Sequence, residues 1–180
     1  MFSVVTVVKN DPEGLRRTRQ SLEAQTFTRW THVVVPATSK ELSSAVAEGW
    51  SDPKTIVRHQ IGAGIYSAMN QGVESCAEDY IVFLNAGDLF ADNTSLERVA
   101  DSLARSCPSW AVFGGLVVRN GRILSVCPVD NPSAWLIGCG RANIIHASVY
   151  YKREFLGHCG GYDERFRIAG DLDLHVRLSQ

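Results

Sequence analysis

Within about the first 105 residues, a short and very apolar run is followed four times by a stretch of helical period. This alternation constrains the fold more than any other feature of the chain. Phe2–Val8 is β-branched and nearly all apolar, as a strand buried on both faces of a parallel sheet must be. It stops at Lys9-Asn10-Asp11-Pro12. Asp11 suits an N-cap and Pro12 the first helical position, and Leu15 and Leu22 then fall on one face of a helix. His32 to Val35 reads as a second strand, broken at Pro36. Thr38 and Glu41 have the spacing of a capping box and open a helix with Leu42, Ala45, Val46 and Gly49 on one face. Thr55 to Arg58 is a third strand, after which Ile65, Ala68, Met69, Gly72, Val73 and Cys76 keep the helical period. Tyr80 to Leu84 is the fourth strand, and it ends at Asn85-Ala86-Gly87-Asp88. A helix with Leu96, Val99, Ala100 and Leu103 inward starts near Asn93. The expectation is a doubly wound, mainly parallel sheet with helices on both faces.

The second half changes pattern. Trp110 to Val118 and Ile123 to Val126 flank Asn120-Gly121, a strong hairpin signal, so antiparallel strands are expected to join the sheet. Pro128 to Arg141 is a long loop rich in Pro, Gly and Asn. Ile144 to Tyr151 reads as one more strand with His146 at its middle, followed by a short helix and Gly160-Gly161-Tyr162-Asp163. No repeat, low-complexity tract or linker interrupts the 180 residues, which read as one mixed α/β domain.

Composition excludes more than it assigns. A net charge of -1 lacks the basic surplus of a nucleic-acid partner and gives no strong pull toward membranes. Five cysteines, with no Cys-x-x-Cys pair, argue against a disulfide framework and a structural zinc site. The N-terminal apolar run lacks a basic flank and a cleavage pattern, and no run approaches bilayer length. The chain reads as cytoplasmic.

Ligands of open α/β sheets bind beyond the carboxyl ends of the strands. Lys9-Asn10-Asp11, Pro36-Ala37-Thr38-Ser39 and Asn85-Ala86-Gly87-Asp88 all lie at such ends. The last presents hard oxygen ligands on a small-residue loop, which suits Mg²⁺ or Mn²⁺ shared with substrate phosphates. On spacing alone, Asp88 serves equally well as a turn cap. In Ile168-Ala169-Gly170-Asp171-Leu172-Asp173-Leu174, two carboxylates two residues apart cannot share a helix face. One is expected to cap the helix and the other to be free as a general base. His146 reads as a satisfied, partly buried histidine, with a metal or phosphate contact as the minority reading. Gly62-Ala63-Gly64 before a helix is an incomplete phosphate cradle, and Trp135 suits either packing or stacking on a sugar ring.

Five segments, in order, resemble the family 2 glycosyltransferases of the GT-A fold, in particular bacterial members that build surface polysaccharides. They are Ser3 to Asn10, Leu22 to Phe27, Gly64 to Gly72, Tyr80 to Asp88, and Gly160 to Phe166 followed by Ala169 to Leu174. Gly64 to Gly72 is similar to the family's Gly-Ile-Tyr-Asp-Ala-Met-Asn-Lys-Gly, and Tyr80 to Asp88 to its metal loop. The resemblance implies one GT-A domain over 1–180, with a nucleotide-binding half to about 105 and an acceptor-side half from about 106; relatives usually continue with C-terminal helices, so the chain is either an unusually compact member or has an incomplete acceptor side. It implies a UDP- or GDP-sugar donor, Mg²⁺ or Mn²⁺ held by Asp88, and inverting transfer to a hydroxyl with Asp171 as base. Thr6, Val8 and Asn10 would line the base pocket, Asn85, Ala86 and Gly87 would border the diphosphate or ribose, and Asp173 would be structural. The acceptor would be a glycan or lipid-linked molecule, met in the cytoplasm or by peripheral association at the inner face of the membrane, with no nucleic acid involved. Pro36, Gly62 and Ser67 stand where relatives carry acids that contact the donor, which leaves the nucleotide open. The alternatives are a nucleotide-binding module without useful turnover and a nucleotidyltransferase. The latter calls for a Gly-rich basic loop that Lys9-Asn10-Asp11-Pro12 does not supply.

Overall fold

In the computed structural model, which describes residues 1–40, 52–119, 122–127 and 144–179, the first strand is the centre of the molecule. All seven residues of β1 (Phe2–Val8) are buried. β1 runs parallel to β2 (Trp30–Pro36) on one side and β4 (Tyr80–Phe83) on the other, and β2 pairs in parallel with β3 (Thr55–Val57). Beyond β4 the sheet turns antiparallel through β8 (Val149–Lys152), which also pairs with β5 (Trp110–Val112), giving the order β3-β2-β1-β4-β8-β5.

The period of two along β1 feeds two apolar layers. Val5 and Val7 join Val33, Met69, Ile81, Phe83 and Leu174 on one face. Phe2 and Val4 join Leu22, Val82, Leu96, Val99 and Leu103 on the other. The first layer is covered by α2 (Ile65–Glu74), α4 (Arg153–His158) and α5 (Gly170–Leu178), the second by α1 (Pro12–Glu23) and α3 (Ser95–Ser106). This is the mixed, mainly parallel sheet with helices on both faces that the sequence pattern predicts. Asp11 caps α1 through Gly14 N, with Pro12 at the helix start.

Four expectations are corrected. Residues 110–118 do not form one strand: β5 ends at Val112, and β6 (Gly115–Arg119) pairs with β7 (Arg122–Cys127) in a separate two-stranded ribbon. The cause lies in the neighbouring strand. Phe113 N donates to Ser148 O at 2.8 Å, and there β8 gives way to a 3-10 turn, His146–Ser148, leaving no ladder to continue. That turn is the second correction, because residues 144–148 were expected to be strand. Ser148 directs both its N–H and its hydroxyl to Ile145 O, at 2.9 and 2.6 Å, a local closure that competes with sheet pairing. Third, Ile65 is 42% exposed and Tyr66 is buried in its place. The first helical residue faces the open end of the sheet, and the buried face begins one position later. Fourth, neither Asp171 nor Asp173 caps α5: its N-cap is Ala169, at φ +63°, and both acids lie in the first turn. The chain turns helical at Ser39–Lys40, and the rest of the helix expected from Thr38, the Asn120-Gly121 turn and the Pro128–Arg141 loop lie outside the described residues. Among the described residues, no helix is long and apolar enough to cross a membrane.

His32 and His175 are buried, and His146 is half-buried with its Nε2 enclosed. His32 is fully buried on β2, with Nε2 2.9 Å from the Thr6 hydroxyl, which itself donates to Leu84 O at 2.8 Å. Burial, then the positive charge of Arg19, pushes His32 down to about 3. Burial pushes His146 and His175 down to about 4, against the opposing charge of Asp171. Each folded value lies below 6.5, so the unfolded chain binds protons that the folded chain refuses. Stability is therefore complete above pH 6.5 and falls as the pH drops from there toward 4, at up to about 1.4 kcal/mol per pH unit for each histidine. Denaturant melts at pH 7.0, 5.5 and 4.5 should show this decline, and His32→Gln should flatten it; a midpoint independent of pH over this range refutes the assignment.

Candidate functional site

The carboxyl ends of β1, β2 and β4 open into one cleft of about 550 Å³. Val8 and Lys9 line it from β1, Ala37 and Thr38 from the end of β2, and Asn85 and Ala86 from the end of β4. Its far side is Gln60 and the start of α2 at Gly64 and Ile65. Gln60 fixes this turn by donating through Nε2 to Gly62 O and Gly64 O at 2.9 and 2.8 Å. Gly64, the N-cap of α2, has no side-chain cap, so the helix presents open N–H groups at the edge of the cleft.

Asn85–Asp88 is a turn closed twice. Asp88 N donates to Asn85 O at 2.9 Å, and Asn85 N donates to Asp88 Oδ2 at 3.2 Å. Gly87 sits at φ +97°, a conformation that side chains resist. From outside, the fully buried Thr18 of α1 fastens the loop. Its Oγ1 accepts from Gly87 N at 2.9 Å and lies 2.9 Å from Asp88 O, 3.0 Å from Gly14 O and 3.3 Å from Asn85 O. Asp11 stands next to it, with Oδ2 3.5 Å from where a Cβ on Gly87 would lie. Asn85 Oδ1 is buried without a hydrogen-bond partner.

The half-buried carboxyl of Asp88 is raised by burial, partly offset by the Asn85 N–H. The turn-cap reading is what the geometry shows: one oxygen closes the turn, and the other takes no hydrogen bond among the described residues. Several other acids pair with arginine, whereas the half-buried Asp11 and Glu78 form no ion pair among the described residues. Asp52 pairs with Arg19, Asp92 with Arg98 at 2.8 Å, Asp163 with Arg165 at 2.6 Å and Asp173 with Arg177 at 2.9 Å. Asp88 and Asp171, both half-buried, form no ion pair among the described residues. Those residues contain no cluster of three or more His, Cys, Asp or Glu side chains able to hold an ion. A lone carboxylate on a tight turn fits Mg²⁺ or Mn²⁺ that draws its other ligands from phosphate and water.

Asp171 is placed from the opposite half by a chain of aromatic contacts. Gly170 N donates to Tyr66 Oη at 2.8 Å, and a Cβ on Gly170 would lie 2.7 Å from the Tyr66 ring. Tyr66 belongs to α2, so the helix that borders the cleft also sets the start of α5. Tyr162 stacks on Tyr66 with centroids 5.3 Å apart. Asn70 holds the Tyr162 backbone from both sides, donating to its carbonyl at 2.8 Å and accepting from its N–H at 2.9 Å. His146 is not the satisfied mid-strand histidine its spacing suggests. It lies in the 3-10 turn, its Nδ1 is 3.4 Å from Tyr162 Oη, and its buried Nε2 has no partner.

Of the residues expected at the site, Val8, Asn85 and Ala86 line the cleft, and Gly87 and Asp88 complete the adjoining turn. Asn10 follows β1, exposed and at φ +59°, outside the lining. Thr6 is not brought to the cleft: it is fully buried and joins His32 to the end of β4. Trp135 lies outside the described residues. Sequence reasoning missed Thr18, Gln60, Tyr66 and Asn70 as organisers and took Asp11 for a cap alone. Gln60, two residues before Gly62, and Tyr66 and Asn70, inside a quoted motif, carried a readable signal. Thr18 carried none beyond its polarity on the buried face of a helix.

A mainly parallel sheet with an acidic loop at a strand end and antiparallel strands beyond it defines the GT-A class of transferase fold. Residues 3–132 match the model of glycosyl transferase family 2, and the chain belongs to that family. It is 26% identical over 180 residues, covering 98% of this chain and 69% of the relative, to a PGL/p-HBAD biosynthesis glycosyltransferase of Mycobacterium bovis BCG. It is 27% identical over 181 residues, covering 98% and 68%, to an uncharacterised glycosyltransferase of Mycobacterium tuberculosis. Among solved structures, Staphylococcus aureus TarS with UDP superposes at TM-score 0.82 and 15% identity, over 99% of this chain and 54% of that one. The mannosyltransferase PcManGT of Pyrobaculum calidifontis with GDP-Man and Mn²⁺ superposes at 0.66 and 16%, over 90% and 47%. The chain thus spans about half the length of these two structures.

Two substitutions test the scaffold of the site. Thr18→Val keeps the shape but strands Gly87 N, and should cost about 1–2 kcal/mol in urea melts while speeding hydrogen exchange at Gly87 and Asp88. Gly170→Ala should cost about 1–3 kcal/mol by driving a methyl into the Tyr66 ring, and Tyr66→Ala should relieve part of that cost in the double mutant. Strictly additive losses would mean that the two residues do not touch.

Proposed function

We propose that this domain transfers a sugar from a nucleotide diphosphate donor to a hydroxyl acceptor, with inversion at the anomeric carbon. The observation that carries the reading is the Asn85–Asp88 turn at the end of β4, which adjoins the cleft and leaves one oxygen of the half-buried Asp88 without a hydrogen bond among the described residues. A desolvated carboxylate without a partner is costly unless a ligand completes it, and such groups concentrate at functional sites.

The cleft suits the donor. Val8 and Ala37 offer an apolar wall to a base, and the open N-terminus of α2 offers N–H groups to a phosphate. Asn85 Oδ1, buried and unpaired, awaits a hydroxyl or N–H donor such as a ribose provides. Mg²⁺ or Mn²⁺, held by Asp88 and the diphosphate, neutralises the leaving group when bound. Asp171 takes the proton of the acceptor hydroxyl as its oxygen bonds to the anomeric carbon and the bond to the diphosphate oxygen breaks on the opposite face. The 1–105 half serves the donor and the 106–180 half the acceptor, a glycan or lipid-linked hydroxyl compound of bacterial polysaccharide or glycoconjugate synthesis. We place the reaction in the cytoplasm, with peripheral attachment at the inner membrane face where the acceptor is lipid-linked. TarS bound to UDP and PcManGT bound to GDP-Man and Mn²⁺ support a nucleotide-sugar donor and a divalent ion and leave UDP and GDP as equal candidates.

Thermal stabilisation by UDP, GDP and their sugars, each with and without Mn²⁺, tests the donor site. One nucleotide should raise the melting temperature only with metal, and Asp88→Ala should abolish the metal-dependent part. No stabilisation by any nucleotide in the presence of Mn²⁺ overturns the reading. Asp171→Asn should keep nucleotide binding and lower transfer by about 10²-fold or more; undiminished turnover would remove Asp171 from the role of base.

A further inference from the structure

His146 lies in the 3-10 turn that leads into β8. Its ring packs on Phe83, centroids 5.5 Å apart, two residues before Asn85, so it sits beside the strand end that carries the Asp88 turn. It also feels the charge of Asp171. The imidazole is fixed rather than adaptable. Nδ1 is 3.4 Å from Tyr162 Oη, and Tyr151 Oη is 2.7 Å from His175 Nε2. This short line of hydroxyl and imidazole occupies Nδ1 and leaves Nε2 as the nitrogen of that ring without a partner among the described residues, as His32 Nδ1 is on β2. A buried polar atom of this kind is uncommon in a folded protein and calls for an explanation, of which a bound molecule is one.

The line can run in either sense, because the Tyr162 hydroxyl both donates and accepts. Nε2 is accordingly a bare acceptor in one sense and an N–H donor in the other. A cation satisfies only the first and a phosphate oxygen only the second, and the charge of Asp171 repels the phosphate. A hydroxyl satisfies both.

Resting on the glycosyltransferase reading above, we propose that His146 Nε2 hydrogen-bonds a hydroxyl of a sugar acceptor and so positions it beside Asp171. The contact fixes which face of the acceptor meets the base. It requires no proton transfer to the imidazole, whose burial keeps it neutral at physiological pH. Tyr162, whose hydroxyl meets Nδ1, acts through His146 as a positioning residue.

The test uses para-nitrophenyl glycosides as acceptor probes. First, the imidazole nitrogens of the wild-type chain are followed by ¹⁵N NMR as a panel of these glycosides is added without donor; an Nε2 shift in response to one of them is expected. Second, His146→Phe should retain nucleotide-dependent stabilisation and melt no lower than wild type, because it removes an unsatisfied polar atom. It should lose about tenfold or more in kcat/KM for that glycoside, mainly through KM, while donor hydrolysis to water falls less. His146→Gln should restore part of the loss. A structural histidine would instead give a lower melting temperature and equal losses in transfer and hydrolysis, which overturns the proposal, as does an Nε2 resonance unmoved by every glycoside. The NMR arm needs no turnover, so a wild-type chain that binds glycosides at Nε2 but transfers nothing counts against the catalytic reading and not against this contact.

Discussion

A single hydroxyl, that of Thr18, ties the chemistry of this domain to its scaffold. Tight turns that hold carboxylates at strand ends are weak structures, because a short loop leaves its own N–H and C=O groups unpaired. Here Thr18 Oγ1 accepts from Gly87 N and reaches the carbonyl of Asp88, while remaining bonded within its own helix to Gly14 O. The turn is thereby fixed to α1, and α1 to β1 through the Asp11 cap. Asp88 inherits the rigidity of the sheet centre although it lies on a loop. The same helix extends this service at its other end: Gln25, nearly buried, accepts from Leu96 N and donates to Asp92 O, which seats the start of α3.

The acceptor side follows the same logic with aromatic rings in place of hydroxyls. Tyr66 is both a core residue of α2 and the hydrogen-bond acceptor for the first N–H of α5. Asn70, one turn further along α2, clamps the Tyr162 backbone. One helix therefore borders the donor cleft with its N-terminus and positions Asp171 with its buried face. The two halves of the site are referenced to a common rigid element, as a reaction between two bound molecules requires.

The sheet and both layers of the core were legible because the signals are local and strong. Phe2–Val8 and Tyr80–Phe83 admit little but buried strands, and Leu15, Leu22, Leu96 and Leu103 announce the helices that cover them. The Asn85–Asp88 turn was legible as a place, since it ends the very apolar strand Tyr80–Phe83. What escaped were features that depend on a neighbour distant in sequence. Residues 110–118 look like one strand, yet they break where β8 becomes a turn, and that turn follows from Ser148 bonding Ile145 O. Thr6 shares its strand with residues that do line the cleft, yet its partner is His32 on the adjacent strand, and no spacing within β1 reveals that. Thr18 meets its partners some 70 residues away. Local pattern fixes which elements form, and only their packing decides which polar groups are consumed inside the fold and which remain for a ligand.

That distinction also explains why charge pairing is more informative here than acidity alone. Asp173 and Asp171 lie in the same helical turn, and sequence cannot tell their roles apart. Packing can: Arg177 reaches back one turn to Asp173 while donating to Cys159 O and Gly161 O, so one guanidinium satisfies a carboxylate and two loop carbonyls. Asp173 is thereby committed to holding the Gly160–Gly161 bend against α5. Asp171 points to surroundings of neutral, buried or half-buried rings, Tyr151, Tyr162, His146 and His175, all of whose protonation equilibria feel its charge. None of those groups can neutralise it at physiological pH, because burial keeps each in its uncharged form. With Asp173 tied to Arg177, Asp171 is the carboxylate of this turn that has no ion pair among the described residues.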